Sequence, residues 1–252
     1  MSKFLKERGG TILIGVVGVA LYVLLTDGLH VLNDFLFPSL GKVLTNFPDY
    51  IGKLLEGLQS SLFLLVISYA LAVVTAVALG TLIGLKSGLR RNVNPWIHAL
   101  TAIPVPLLTP YAINIFPTMK MASIFLIWLA AFWVILATTI GAVVSIDKRY
   151  LENAATLEMP TFERLFRVVL PAASPAIFTG CSVALTLSFM MLAVAEMFGA
   201  QSGMAYFVQY YSDFGRYDLV MMGFIFTAIV LVLVMVVFDK IQAKALHWTY
   251  NN

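Results

Sequence analysis

The sequence predicts an all-α membrane protein with about six transmembrane helices. Of its 252 residues, 60% are hydrophobic and 12% are charged, whereas soluble domains contain about 25% charged residues. The hydrophobic residues occur in blocks of about 20, which is the helix length that crosses roughly 30 Å of hydrocarbon. Because the period-2 alternation of barrel strands is absent, each block is expected to be a helix that satisfies its own backbone hydrogen bonds.

Six blocks are long enough to span a membrane. We place them at 11–26, 58–85, 96–116, 121–144, 172–195 and 220–238. The first block follows the basic residues Lys3, Lys6 and Arg8, but it lacks a small-residue cleavage site and is interpreted as a retained span rather than a signal peptide. No repeat or low-complexity tract divides the sequence, so residues 1–252 are expected to form a single transmembrane domain.

The basic residues are unevenly divided between the two sets of connections. Of the 16 Lys and Arg residues, 12 fall on the side that holds both termini. The remaining four are Lys42, Lys53, Lys120 and Arg216. Because short connections rich in Lys and Arg stay in the cytoplasm, the sequence predicts a bacterial inner-membrane protein with cytoplasmic termini and a cytoplasmic loop 145–171.

Two segments predict departures from straight spanning helices. The third block contains Pro104, Pro106 and Pro110, and proline removes a backbone donor and clashes with the preceding turn, so this span should be kinked or broken. The break either lines a transport pathway or is a packing kink. Residues 203–217 carry six aromatic side chains and are too short to span, which predicts an interfacial or re-entrant helix.

Loop 145–171 is unusually ordered for a connection. Residues Glu152 to Glu158 predict one short helix and Thr161 to Val169 predict a second, with Pro160 between them. The pair would expose several apolar side chains: Leu157, Met159, Phe162, Leu165 and Phe166. Such a surface requires a protein partner or a membrane to cover it.

The same loop resembles the EAA loop of ABC importer permeases, in which Glu-Ala-Ala is followed by a glycine and later by Leu-Pro. The matching residues are Glu152, Ala154, Ala155, Leu170 and Pro171. Asn153 replaces the first alanine, and Glu158 stands where the family has the glycine that supplies a turn. We therefore expect the turn to have shifted to Met159 and Pro160.

The resemblance extends from about Pro38 to Trp248 and is greatest to the nitrate/sulfonate/taurine subgroup. It implies the type I ABC importer permease architecture, in which the EAA helices contact an ATPase. The residues it assigns to ATPase coupling are Glu152, Ala154, Ala155, Leu157, Glu158, Met159, Phe162 and Leu165. The implied partners are an ATPase dimer, a second permease copy or related subunit, an extracytoplasmic solute-binding protein and the lipid bilayer; no nucleic acid is expected.

The sequence contains no phosphate-binding loop of the form G-x-x-x-x-G-K-[ST]. The chain is therefore not expected to be an enzyme or to bind a cofactor, and ATP and Mg²⁺ would be used by the partner subunit. The single cysteine, Cys181, and the three histidines, His30, His98 and His247, lack the spacing of metal ligands or of a nucleophile and its base. We expect neither a metal site nor a catalytic residue.

Polar residues of span five are candidates for a gate or a pathway. Glu196 lies at the end of this apolar span, where a carboxylate is either part of a gate or an interfacial cap for the segment that follows. Thr179, Ser182 and Thr186 share one helical face. This face either lines a pathway or allows close helix packing, and we favour packing.

The leading functional hypothesis is the permease subunit of an ATP-driven ABC importer. Its expected substrate is a nitrate-, sulfonate- or taurine-like anion or a related small organic compound such as a vitamin precursor. The alternatives are a stand-alone secondary transporter or channel, and an intramembrane enzyme. A secondary carrier should show buried charges for ion coupling, whereas the spans contain almost none before Glu196. An enzyme should show a nucleophile or a metal pair.

Overall fold

The computed structural model describes residues 15–29 and 31–249, and its regular secondary structure in these ranges is helical without strands. The helices in chain order are α1 (Gly15–Gly28), α2 (Leu40–Leu85), α3 (Ser87–Thr101), α4 (Val105–Ile115), α5 (Met119–Val144), α6 (Lys148–Thr156), α7 (Thr161–Gly199), α8 (Met204–Asp213) and α9 (Tyr217–Ala245). A single 3-10 turn, His247–Thr249, follows α9.

Helices α2, α5, α7 and α9 are each long and apolar enough to cross a membrane. Helices α3 and α4 pass that test only as a pair, and they are bent by 80° at the short break between them. Together they occupy the region of the third predicted span, 96–116, and the bend between them confirms that this span is broken. The described residues thus contain four spans, or five with the bent pair. Residues 11–14 of the first predicted span, together with Lys3, Lys6, Arg8 and His30, lie outside the described residues.

Helix α2 begins at Leu40, well before the predicted span start at residue 58. The side chain of Ser39 accepts a hydrogen bond from the Lys42 amide at 3.3 Å and caps this helix. The added turns are amphipathic, since Leu54 is fully buried and Lys53 is exposed. Hydropathy detects only the fully apolar part of such a helix, which explains the difference.

The second helix predicted in loop 145–171 is not separate from span five. Helix α7 runs without interruption for 39 residues, and Pro171 and Pro175 lie inside it. Within this helix, a π-helical turn at Leu165–Val169 replaces the regular α-helical hydrogen bonds just before Pro171, and the Leu170 amide donates to the Leu165 carbonyl. The Ser174 hydroxyl donates to the Pro171 carbonyl at 2.8 Å, which is the acceptor that Pro175 leaves without an amide partner. Both prolines are thereby accommodated.

The core of the bundle consists of α2, α5 and α7 packed side by side. Close approach of α2 to α5 requires a glycine, because a Cβ atom at Gly80 would lie 2.7 Å from the Thr139 Cβ atom. At one end, which we call the loop end, Leu151 and Leu165 pack on a buried cluster that includes Val143 and Val169. This packing joins loop 145–171 firmly to the spans.

Helix α8 lies at the opposite end of the bundle. At about 1.5 Å per residue its 10 residues are too short to cross a membrane, as predicted. It packs between the start of α2 and the start of α9, where Leu54, Phe207 and Leu219 form part of one buried cluster. Helix α8 therefore covers the end of the spans that lies farthest from the loop.

Candidate functional site

Helix α6 starts the candidate coupling surface at the loop end. The Asp147 side chain accepts a hydrogen bond from the Arg149 amide at 3.0 Å and caps the helix. Ala154 is 3% exposed and faces the bundle, whereas Glu152 and Ala155 are exposed. The helix therefore presents one face to the spans and the other to the surroundings.

The turn that ends α6 lies at Glu158. This residue has φ 49°, and it is the only non-glycine residue with positive φ in the described part of the chain. The Glu158 amide donates to Ala155 at 3.0 Å and the Met159 amide donates to Ala154 at 3.2 Å, which is the bonding pattern of a Schellman cap. The expected shift of the turn to Met159 and Pro160 is therefore wrong, because these two bonds hold Glu158 in the conformation that glycine favours.

An exposed apolar surface follows the turn. Leu157 is 69% exposed and Phe162 is 74% exposed, and the ring of Phe162 lies 4.6 Å from that of Phe166 between centroids. Tyr150 on α6 is also exposed, and the sequence pattern did not single it out. The structure brings these side chains to one end of the molecule, where nothing in the described chain covers them.

Not every predicted coupling residue belongs to this exposed surface. Leu165 and Met159 are half-buried, and Leu165 packs against the core. Glu163, which lies between the aromatic residues, pairs with Arg167 at 2.8 Å. The surface thus consists of a hydrophobic patch bordered by charges. We call Tyr150, Leu157, Phe162 and Phe166 the loop patch.

A buried hydrogen-bonded cluster lies at the opposite end of α7. Glu196 is 1% exposed and accepts hydrogen bonds from the Ser61 hydroxyl and, at 2.9 Å, from the Ala205 amide. Ser61 is fully buried on α2, and its oxygen accepts a bond from the Met204 amide at 2.9 Å. These two amides belong to the first turn of α8. We call Glu196, Ser61 and the amides of Met204 and Ala205 the Glu196 node.

A glycine permits this arrangement. Gly203 has φ 145°, and a Cβ atom there would overlap the carboxyl group of Glu196. Gly57 on α2 faces the same loop, since a Cβ atom at Gly57 would lie 2.9 Å from the Gly203 carbonyl oxygen. Glu196 thus accepts a bond from the first turn of α8, as expected of a cap for the segment that follows, and it does so from a buried position. The sequence pattern did not identify Ser61 as the partner of Glu196, because the two residues are 135 positions apart.

Of the three residues Thr179, Ser182 and Thr186 that the sequence predicted for a gate or pathway, one lines a groove of the described structure. Thr179 lines a groove of about 520 Å³ between α5 and α7, together with Thr138 and Ser145. A second groove, of about 600 Å³, begins at Thr138 and continues to the break between α3 and α4. Ser182 is half-buried and Thr186 is exposed, and neither lines these grooves.

Among residues 15–29 and 31–249, no three His, Cys, Asp or Glu side chains are grouped as metal ligands would be. The grooves between α5 and α7 are lined by apolar and hydroxyl side chains without a charged residue. This arrangement offers a surface for a partner at one end and a buried polar connection at the other, with a groove along the same helix between them.

Relatives of this sequence are membrane components of importers. The chain is 27% identical over 223 residues to the putative aliphatic sulfonates transport permease protein SsuC of Bacillus subtilis, covering 88% of this chain and 81% of that protein. It is 28% identical over 173 residues to the nitrate import permease protein NrtB of Leptolyngbya laminosa, covering 69% of this chain and 62% of that protein.

The fold is similar to that of solved transporter structures. A chain of the inward-facing methionine ABC transporter MetNI matches with a TM-score of 0.68 at 17% identity, covering 78% of this chain and 98% of that chain. The predicted type I permease architecture is therefore confirmed. The model of the family described as binding-protein-dependent transport system inner membrane component matches residues 72–245, which is more than half of the sequence. The chain belongs to the family of binding-protein-dependent transport system inner membrane components.

Proposed function

We propose that this permease forms the membrane passage of an ATP-driven importer together with a second copy of itself or a related subunit. The loop patch is the observation that supports this proposal most directly. Leu157 and Phe162 are both more than two-thirds exposed, although burying such side chains is favourable by roughly 1.5–3 kcal/mol each. A partner that covers them gains this free energy, and the charges at the rim contribute less.

The partner at the loop patch is a dimer of ATPase subunits. The permease sequence has no phosphate-binding loop, so ATP and Mg²⁺ are used by that partner and the permease itself is not the enzyme. Leu151 and Leu165 join the loop to the buried cluster at the ends of α5 and α7. A displacement of the loop is therefore passed to the spans rather than absorbed by a flexible connection.

The solute is a nitrate-, sulfonate- or taurine-like anion, or a related small organic compound such as a vitamin precursor. The names of the sulfonate and nitrate permeases support this class. The grooves beside α7 hold no Lys or Arg that could fix an anion. We therefore assign most of the specificity to an extracytoplasmic binding protein that delivers the solute to the end where α8 lies.

The orientation follows from charge. Twelve of the 16 Lys and Arg residues fall on the side of both termini and loop 145–171, so this side faces the cytoplasm of a bacterial cell. The ATPase then has access to the loop patch, and α8 faces outward to the binding protein.

Reconstitution tests the proposed function. Proteoliposomes that contain the permease, its cognate ATPase and its loaded binding protein should take up solute only when ATP and Mg²⁺ are supplied on the loop side. Uptake by the permease without the ATPase would instead identify a stand-alone transporter or channel.

A further inference from the structure

A single helix, α7, contains residues of both the loop patch and the Glu196 node. Phe162 of the loop patch and Glu196 of the Glu196 node belong to α7, which is continuous over 39 residues. At 1.5 Å per residue this helix is about 58 Å long. The two prolines inside it do not divide it, because the π-helical turn and the Ser174 hydroxyl accommodate them.

The Glu196 node connects the far end of this helix to two other elements. Glu196 comes from α7, Ser61 from α2, and the Met204 and Ala205 amides from α8. Each member of the node has at least one partner inside it, and both side chains are at most 1% exposed. Breaking any one bond leaves a buried polar group without a partner, which is costly in a site that water does not reach.

We propose that Glu196 and Ser61 are positioning residues that make the end of α7, the adjacent turn of α2 and helix α8 move as one unit. The proposal rests on the proposed function, since the ATPase at the loop patch supplies the movement. When α7 shifts at the loop end, the node transfers that shift to α8, which covers the outward end of the spans. Opening of the outward end is thereby coupled to ATP hydrolysis.

The hydrogen bonds of the Glu196 node are better suited than the neighbouring apolar contacts to transfer a movement of α7 to α8, because hydrogen bonds are directional. Met204 also packs against Leu192 of α7 in a buried cluster, but apolar surfaces can slide past each other without losing much contact area. The carboxyl group lies against Gly203 so closely that even a Cβ atom there would overlap it, and its bond to the Ala205 amide fixes the first turn of α8 at one position.

The test measures solute taken up per ATP hydrolysed in the reconstituted complex, at matched insertion of each variant. We expect Ser61→Ala and Glu196→Ala to lower this ratio by roughly fivefold or more, the factor that about 1 kcal/mol of lost coupling produces. Glu196→Gln keeps an acceptor for Ala205 and should retain more of the ratio than Glu196→Ala. Glu56→Gln, a change at an exposed carboxylate of the same stretch of α2, is the control and should keep the full ratio.

A covalent replacement for the node makes the test specific. The Ser60 and Ser202 hydroxyl oxygens lie 2.8 Å apart beside the node, so a cysteine pair there can join α2 to the loop before α8. In a Cys181→Ser background, which removes the only other cysteine, oxidising this pair should restore the ratio lost in Ser61→Ala. Reducing the disulfide should abolish the recovery.

The outcomes separate this proposal from a purely structural role. If the node only stabilises the fold, the alanine variants will lower uptake and ATP hydrolysis in proportion, and an unchanged ratio overturns the proposal. Failure of the disulfide to restore the ratio also overturns it. Failure of the proposed function appears earlier, as a wild-type permease that recovers no ATPase, and it removes the source of movement on which this proposal depends.

Discussion

The amide of Met159 donates a hydrogen bond to the carbonyl of Ala154 at 3.2 Å, and this bond closes the end of α6 around Glu158. The left-handed conformation of Glu158 costs an ordinary residue about 1–2 kcal/mol. The loop therefore retains the geometry of a glycine turn without the glycine, and its shape at the loop patch depends on two backbone bonds.

Glu158→Gly should preserve or raise the thermal stability of the purified permease, because glycine adopts this conformation without the steric cost. Glu158→Val should lower stability, since a β-branched residue fits positive φ poorly. Thermal unfolding in detergent measures both effects. The matched control is Glu152→Gly on the regular part of α6, which should cost about 1 kcal/mol. A loss of stability in Glu158→Gly comparable with that control would contradict the assigned turn.

Leu157→Asp and Phe162→Asp should each weaken recovery of the co-purified ATPase while leaving the permease inserted. Both side chains project from the surface, so the substitutions remove binding surface without disturbing the core. Co-purification at matched membrane expression is the measurement. Lys148→Ala should do little, because exposed rim charges contribute little.

A second control addresses the introduced charge itself. Phe214 is 67% exposed and follows α8, at the end opposite the loop patch. Phe214→Asp should leave ATPase recovery at the wild-type level. Full recovery with both loop variants, together with normal uptake, would show that the ATPase binds elsewhere.

The two ends of the bundle should differ in their access to a membrane-impermeant thiol reagent. In a Cys181→Ser background, Asp49→Cys should be labelled in intact cells and Lys148→Cys only after permeabilisation. Both positions are exposed in the structure, so burial does not confuse the comparison. The opposite labelling pattern would show that the chain has the reverse orientation, in which a cytoplasmic ATPase could not reach the loop patch.

Gly203→Ala should be poorly tolerated, with reduced insertion and a lower unfolding temperature. The added Cβ atom would overlap the Glu196 carboxyl group. The backbone at this position also has a φ of 145°, which alanine avoids. Gly52→Ala is the control, because Gly52 lies in α2 with no atom within 4 Å of a Cβ position. That change should be neutral or stabilising by up to about 1 kcal/mol. Equal behaviour of the two variants would mean that the Glu196 node is loosely packed.

Hydropathy predicted the apolar part of the fold well and its polar part poorly. Helices α5 and α9 begin close to the predicted positions. The early start of α2 was missed, since its first turns are amphipathic rather than fully apolar. The continuity of α7 was missed because proline rules treat Pro171 and Pro175 as helix ends, while the Ser174 hydroxyl replaces the lost bond only in three dimensions.

For the candidate site, the sequence predicted features that are local in the chain but not contacts between distant residues. The exposed apolar side chains of the loop patch are local in sequence, so Leu157 and Phe162 could be identified from their pattern. The partner of Glu196 could not, because Ser61 lies on another span and the contact depends on how α2 and α7 pack. The turn at Glu158 was misplaced because backbone bonds, rather than residue preference, determine its conformation.

The length of α7 has a geometric consequence. If the helix turns about its loop end by about 5°, its far end about 58 Å away moves by about 5 Å, a distance close to one helical turn. An angular change that barely alters side-chain packing near the pivot is thus amplified into a shift comparable with the size of a small solute. Under the proposed function, a slight rotation at the loop end is therefore sufficient, because the length of the helix converts it into a displacement at the opposite end.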